Sequence, residues 1–188
     1  MKIALTGSSS TGKTTLAKEL LKNDLTKEHI NNFITTDARL ILQEMGHKSM
    51  DFMTQAESKI FQIKYFQKKK KLEDGANNYI TDRSFVDIAA YWTIRDTSDN
   101  DKNSEESHEL MNECQLLSKN YDFHFYLPFG LFPFESDGYR SEDLIFHKKI
   151  DCAIINFLQQ WKVNYAVLDC ISIQERISSI IDRITFLK

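Results

Sequence analysis

Proline and glycine are scarce, two and six among 188 residues, which excludes collagen-like and proline-rich extended chains. Cysteine is scarce too. Cys114, Cys152 and Cys170 form an odd, widely spaced set with no C-x-x-C pair, so neither a disulfide framework nor a thiolate zinc site is indicated, and a reducing compartment is expected. No apolar run approaches the roughly 18 residues of a spanning helix, and Met1 to Thr6 has no apolar core followed by a cleavage site. A cytoplasmic protein without a membrane partner is expected. The formal charge of −3 removes the general basicity of a nucleic-acid binder and leaves only local patches for phosphate.

What is present is globular: 41% hydrophobic and 27% charged residues, and a length that at about 150 residues per domain gives a single domain, 1–188. Five short stretches have the length and content of buried strands: 2–6 (KIALT), 33–36 (FITT), 79–82 (YITD), 123–127 (FHFYL) and 165–168 (YAVL). Between them apolar residues step by three or four. Phe52, Ala56, Ile60, Ile63 and Phe66 form one such set, Ile150, Ile154, Phe157, Leu158 and Trp161 a second, and Ile173, Ile177, Ile180, Ile181 and Ile184 a third, each predicting a helix face against a sheet. Strands alternating with helices predict an α/β three-layer sandwich, a parallel sheet flanked by helices, with the active site at the carboxyl ends of the strands.

Residues 96–107 (DTSDNDKNSEES) have no apolar face and read as a flexible surface insertion before a helix starting near Glu105. Lys68 to Lys71 end a predicted helix, where cations favour the dipole and a solvated face is expected rather than a nucleic-acid footprint.

The strongest signal is Gly7-Ser8-Ser9-Ser10-Thr11-Gly12-Lys13-Thr14, a full G-x-x-x-x-G-K-[ST] pattern between a predicted strand and a helical run that begins after Thr15. Glycines let successive N–H groups converge, and the helix amino terminus adds partial positive charge, so the loop holds a polyphosphate. Lys13 reaches β- and γ-phosphates; the Thr14 hydroxyl suits Mg²⁺. No N-K-x-D or D-x-x-G signature follows, which disfavours a regulatory GTPase and leaves compact small-molecule kinases.

Three further constellations fit phosphoryl transfer. Thr36-Asp37-Ala38-Arg39 follows the second strand and Asp82-Arg83-Ser84 ends the third. Asp37 suits the acceptor's hydroxyl proton and Asp82 the metal, while Arg39 and Arg83 are donors for substrate or phosphate; each aspartate is also a good cap for the next helix. Both prolines fall in 128–142, which contains Asp137-Gly138-Tyr139-Arg140. This reads as a lid whose Arg140 is delivered to the transferring phosphoryl group. Phe52, Phe85, Tyr91 and Trp92 are either base-stacking or core aromatics.

The motifs GSSSTGKT, TDAR, TDRS, PFESDGYR and Gln174-Glu175-Arg176, in this order, resemble the P-loop kinase family typified by the nicotinamide riboside kinase domain of the bifunctional NAD-biosynthesis regulator, catalogued as an AAA-type ATP-binding domain. Asp82-Arg83-Ser84 is also similar to the shared element of the nucleoside and thymidylate kinases. The resemblance spans almost the whole chain and implies a five-stranded sheet ordered 2-3-1-4-5, ATP and Mg²⁺, and γ-phosphate transfer to a nucleoside-like hydroxyl or a nucleotide phosphate. A homo-oligomer is compatible with it. A kinase acting on a nucleic-acid hydroxyl and a non-catalytic ATP-binding switch are the alternatives.

Overall fold

The computed structural model describes residues 1–95 and 105–185. Its sheet has five strands, β1 (Lys2–Thr6), β2 (Asn32–Thr35), β3 (Tyr79–Asp82), β4 (Phe123–Tyr126) and β5 (Tyr165–Val167), every pairing parallel and the order β2-β3-β1-β4-β5. All five expected strands are found within a residue of their predicted ends, in the order that the family resemblance implies. The helices are α1 (Lys13–Lys22), α2 (Asp24–Lys27), α3 (Ala38–Glu44), α4 (Gln55–Glu73), α5 (Phe85–Arg95), α6 (Glu105–Ser118), α7 (Leu144–Gln160) and α8 (Ile173–Thr185), with one 3₁₀ turn at Met50–Phe52. Residues 96–104 of the expected insertion lie outside the described residues, whereas Glu105 opens α6 as its sequence predicts.

Side chains alternate across a strand, and β1 shows how that builds three layers. Ile3 and Leu5 pack with Leu16, Ala17 and Leu20 of α1 and Ile180 and Ile184 of α8. Ala4 points the other way, into a core with α4, α5, α6 and α7. Burial of Ile3, Ala4 and Leu5 is complete, as expected for a central parallel strand covered on both faces; each large aliphatic side chain so buried contributes about 1.5–3 kcal/mol. The register sets the site: Asp82 pairs level with Leu5 on one side and Thr35 on the other, so the segments leaving β1, β2 and β3 emerge together.

The structure corrects the expected face of α4. Phe52 lies in the 3₁₀ turn and is 75% exposed, and Ile60 is 49% exposed. The buried face is Ser58, Phe61, Gln62, Tyr65, Phe66, Lys69 and Glu73, which keeps only Phe66 of the expected set. It holds polar groups because partners from elsewhere satisfy them: Lys69 Nζ donates to Thr81 Oγ1 (2.8 Å) and pairs with Glu73, whose second oxygen accepts from the Tyr79 (3.2 Å) and Tyr121 (2.7 Å) hydroxyls. The solvated reading of Lys68 to Lys71 therefore fails at Lys69, which is fully buried between Phe85 and Tyr121. The other two helix faces are as predicted, with Ile150, Ile154 and Leu158 buried on α7 and Ile180 and Ile184 on α8.

Candidate active site

The loop between β1 and α1 is shaped by its glycines. A Cβ on Gly7 would lie 2.5 Å from the Leu127 carbonyl oxygen, so only glycine lets the chain leave β1 this close to the segment leaving β4. Gly12 adopts φ +84° immediately before α1, a conformation that costs a β-carbon residue dearly. Lys13 is buried and curls into the loop, its Nζ donating to the Ser8 carbonyl (2.5 Å) and Thr11 Oγ1 (3.1 Å). Burial lowers its pKa, with Asp82 acting in the opposite sense. Ser8, Ser9, Ser10 and Thr11 complete the loop, and Thr15 is exposed on the first turn of α1.

Asp87, absent from the sequence-based candidates, braces this loop. Its carboxylate accepts from the Gly7 amide (2.9 Å) and from the Ser84 amide (2.7 Å) and hydroxyl (2.9 Å). The spacing Ser84-x-x-Asp87 is the capping-box signature, so a local signal for it existed. Just before Ser84, Arg83 takes φ +75°, a sparsely populated region for a non-glycine residue that concentrates at functional sites.

Thr14 donates its hydroxyl to Asp82 Oδ2, while Asp82 Oδ1 is buried without a hydrogen-bond partner among the described residues. A hydroxyl and a carboxylate with one oxygen still unsatisfied are hard oxygen donors, matching the way Mg²⁺ is held by one or two protein groups together with phosphate oxygens and water. Among the described residues no cluster of three or more His, Cys, Asp or Glu could hold a metal alone, so a cation here would depend on the phosphates it accompanies.

Arg83 lies 4.8 Å from the Tyr91 ring centre, and the Tyr91 hydroxyl hydrogen-bonds with Ser9 Oγ (3.2 Å). Burial pushes this phenol up, but the Arg83 guanidinium and the Ser9 bond outweigh it and bring the pKa down from 10.0 to about 8. One phenol should therefore ionise near pH 8 in an ultraviolet titration and be missing from Tyr91→Phe. The folded phenol is the stronger acid, so the native state binds fewer protons and its stability rises from about pH 8 to about pH 10. Ionisation of every tyrosine at pH 10 or above would contradict this placement of Arg83.

The segment 128–142 lies over the loop: Ser10 Oγ donates to the Glu135 carbonyl and accepts from its amide, both at 3.3 Å. Within it Asp137 Oδ1 accepts from the Tyr139 (3.1 Å) and Arg140 (3.0 Å) amides, and Oδ2 pairs with Arg39 (2.7 Å) and with Arg140 Nε (3.1 Å). Arg39 and Arg140 thus share one counter-ion. Asp37 caps α3, its Oδ1 accepting from the Arg39 (2.9 Å) and Leu40 (3.1 Å) amides. Capping and site placement coexist there, because Asp37 also faces the cavity.

That cavity, about 560 Å³, is lined by Ser9, Thr14, Asp37, Arg39, Asp82, Arg83 and Arg140, and its inner wall includes Phe61, Gln62, Tyr65, Tyr91, Arg95 and Phe146. Its size suits a small-molecule ligand. Of the aromatic candidates Tyr91 lines the cavity, Phe85 and Trp92 belong to the core, and Phe52 is exposed. Gln62, Arg95 and His147 are cavity residues that periodicity and motif reading missed. On the outer side of the loop, Arg176 donates to the Thr11 (2.9 Å) and Cys170 (2.7 Å) carbonyls and lies 4.8 Å from the Phe132 ring centre.

The model of a family described as AAA domain matches residues 2–176. The fold is similar to that of deoxyadenosine kinase from M. mycoides with bound dATP, at 16% identity and a TM-score of 0.66 over 98% of this chain and 100% of that one. It is also similar to NadR protein in complex with NR, at 17% identity and 0.66 over 96% of this chain and 49% of that one. A third similar structure is thymidylate kinase from Ehrlichia chaffeensis, at 14% identity and 0.63 over 98% of each chain. No curated protein matches the sequence. At these identities the likeness is one of fold, a P-loop kinase fold, and among the described residues no helix is long and apolar enough to cross a membrane.

Proposed function

Starting from a chain that belongs to the AAA domain family over residues 2–176, we propose that it is an ATP- and Mg²⁺-dependent phosphotransferase that moves the γ-phosphate to a nucleoside-like hydroxyl or to a nucleotide phosphate. One observation carries the reading: the phosphate loop, the Thr14–Asp82 pair, the Asp37 carboxylate and the lid's Arg140 border one cavity of small-molecule size. Main-chain amides of residues 7–14 and Lys13 hold the phosphates. Thr14 and Asp82 would hold the cation, which supplies neutralisation of phosphate charge. The acceptor oxygen attacks the γ-phosphorus, the bond to the β–γ bridging oxygen breaks, and the acceptor's proton passes to Asp37. Arg83 and Arg140 stabilise charge on the transferring group, with Arg39 beside the acceptor.

The similar structures include nucleoside and nucleotide kinases, which supports this acceptor class. The alternative of a nucleic-acid acceptor keeps at most Lys68, Lys70 and Lys71 of its basic run at the surface, because Lys69 is buried in the core. The test is a γ-labelled ATP screen across nucleosides, nucleoside monophosphates, nicotinamide riboside and oligonucleotides. Label should appear on a small acceptor and require Mg²⁺; ATP binding with no product anywhere would identify a switch instead. Arg140→Ala should lower kcat by about 10³-fold or more and leave the KM for ATP little changed, as for other transferred-charge arginines.

A further inference from the structure

We infer that His147 is a positioning residue that locks the lid to the phosphate loop, so that Arg140 is delivered in register with the phosphates. The inference rests on the phosphotransferase reading, and its argument is geometric. His147 sits in the first turns of α7, is 1% exposed and lines the cavity. Its Nε2 lies 2.7 Å from the carbonyl oxygen of Ser141, the residue after Arg140. Its Nδ1 lies 3.3 Å from the hydroxyl of Ser8, the second residue of the phosphate loop.

These partners fix the tautomer. A carbonyl can only accept, so the proton is on Nε2, and Nδ1 accepts from the Ser8 hydroxyl. Burial lowers the pKa of His147, and Arg83 and Arg140 act in the same sense, against the Ser141 bond and Asp143; the ring is neutral at pH 7. The ring plane is held as firmly as its edges. Phe134 of the lid stacks on it at 5.0 Å, Phe129 packs at 5.7 Å, and Phe146 meets it edge-on at 5.5 Å. One imidazole therefore spans the two segments that must be aligned for transfer, and none of its atoms needs to touch the reacting group.

The experiment compares the full chain with His147→Phe, which keeps the ring packing and loses both hydrogen bonds, and with His147→Gln, whose amide can replace one of them. Three quantities are read: steady-state kinetics with the acceptor identified in the screen, amide exchange of the 128–142 segment with Mg·AMP-PNP bound, and thermal midpoint. His147→Phe should lower kcat by about 10²-fold, the cost of a small misalignment, with both KM values within about threefold. Exchange in 136–142 should rise about tenfold, as expected for the loss of two hydrogen bonds. His147→Gln should recover part of both. Wild-type kcat in His147→Phe overturns the inference. So does a fall in kcat with unchanged lid exchange, which would place the imidazole in the chemistry itself. If His147→Phe is too unstable to assay, the lid exchange of His147→Gln decides: wild-type protection throughout overturns the lock. Absence of turnover in the unaltered chain defeats the phosphotransferase reading, and the lid-exchange comparison still settles whether His147 holds the lid.

Discussion

Lys13→Ala is expected to lower phosphotransfer by at least about 10²–10³-fold, the effect of removing a charged donor aimed at the transferring group, without unfolding the protein. Both parts follow from how the ammonium is held. It is buried, and its two hydrogen bonds stay inside the loop, to Ser8 and Thr11. A β- or γ-phosphate oxygen would take over from these acceptors, so the cation gains its full partner only with nucleotide present. Removing it also removes the cost of desolvating a charge, and the thermal midpoint without nucleotide should stay within a few degrees of wild type. Kinetics and a melting curve on the same preparation check both halves. Loss of activity together with a collapse of the midpoint would make Lys13 a structural residue; retained activity would remove the phosphate loop from the reaction.

The largest expected effect on stability lies away from the cavity. Glu73→Gln should destabilise the fold by about 3–5 kcal/mol, because it leaves the fully buried Lys69 cation without its counter-charge. At about 2–4 °C per kcal/mol for a domain of this size, the midpoint should fall by roughly 10 °C. The double variant Lys69→Met/Glu73→Gln should recover most of the loss, since no uncompensated charge remains. Chemical denaturation of the three proteins measures this. A single-variant loss below about 1 kcal/mol, the range of a solvated pair, would show that Lys69 reaches water.

The same pair marks where the sequence stops being readable. Strand positions and the phosphate loop were legible because their signals are local: a run such as KIALT, a glycine–lysine–threonine spacing, an aspartate at a strand's end. The register of the sheet then brings Asp37, Asp82 and Arg83 to one cavity, as expected of carboxyl-end residues. The face of α4 was misread because periodicity counts apolar residues, whereas Lys69 and Glu73 are buried by virtue of Thr81, Tyr79 and Tyr121, contributed by β3 and by the segment before β4. His147 was missed for a related reason. Its partners, Ser8 and Ser141, belong to segments joined only by the fold, and a lone histidine near the start of an amphipathic helix carries no spacing signal. Asp137 belongs to the motif PFESDGYR, but nothing in the sequence assigns it to Arg39 and Arg140 together.

The strand order has a consequence for biosynthesis. β1 leaves the ribosome before the other four strands and is the central one in the sheet, yet its neighbours are residues 79–82 and 123–126. Until Tyr126 has been translated, one flank of this very apolar segment has no mate, and an unpaired strand edge invites association between nascent chains. The phosphate loop is encoded within residues 7–14, but it cannot be shaped before Asp87 arrives to accept from the Gly7 amide and Leu127 to donate to the Thr6 carbonyl. A nucleotide bound there would therefore be a ligand of the finished sheet and not a template for its early assembly, which falls instead to whatever shields β1 during elongation.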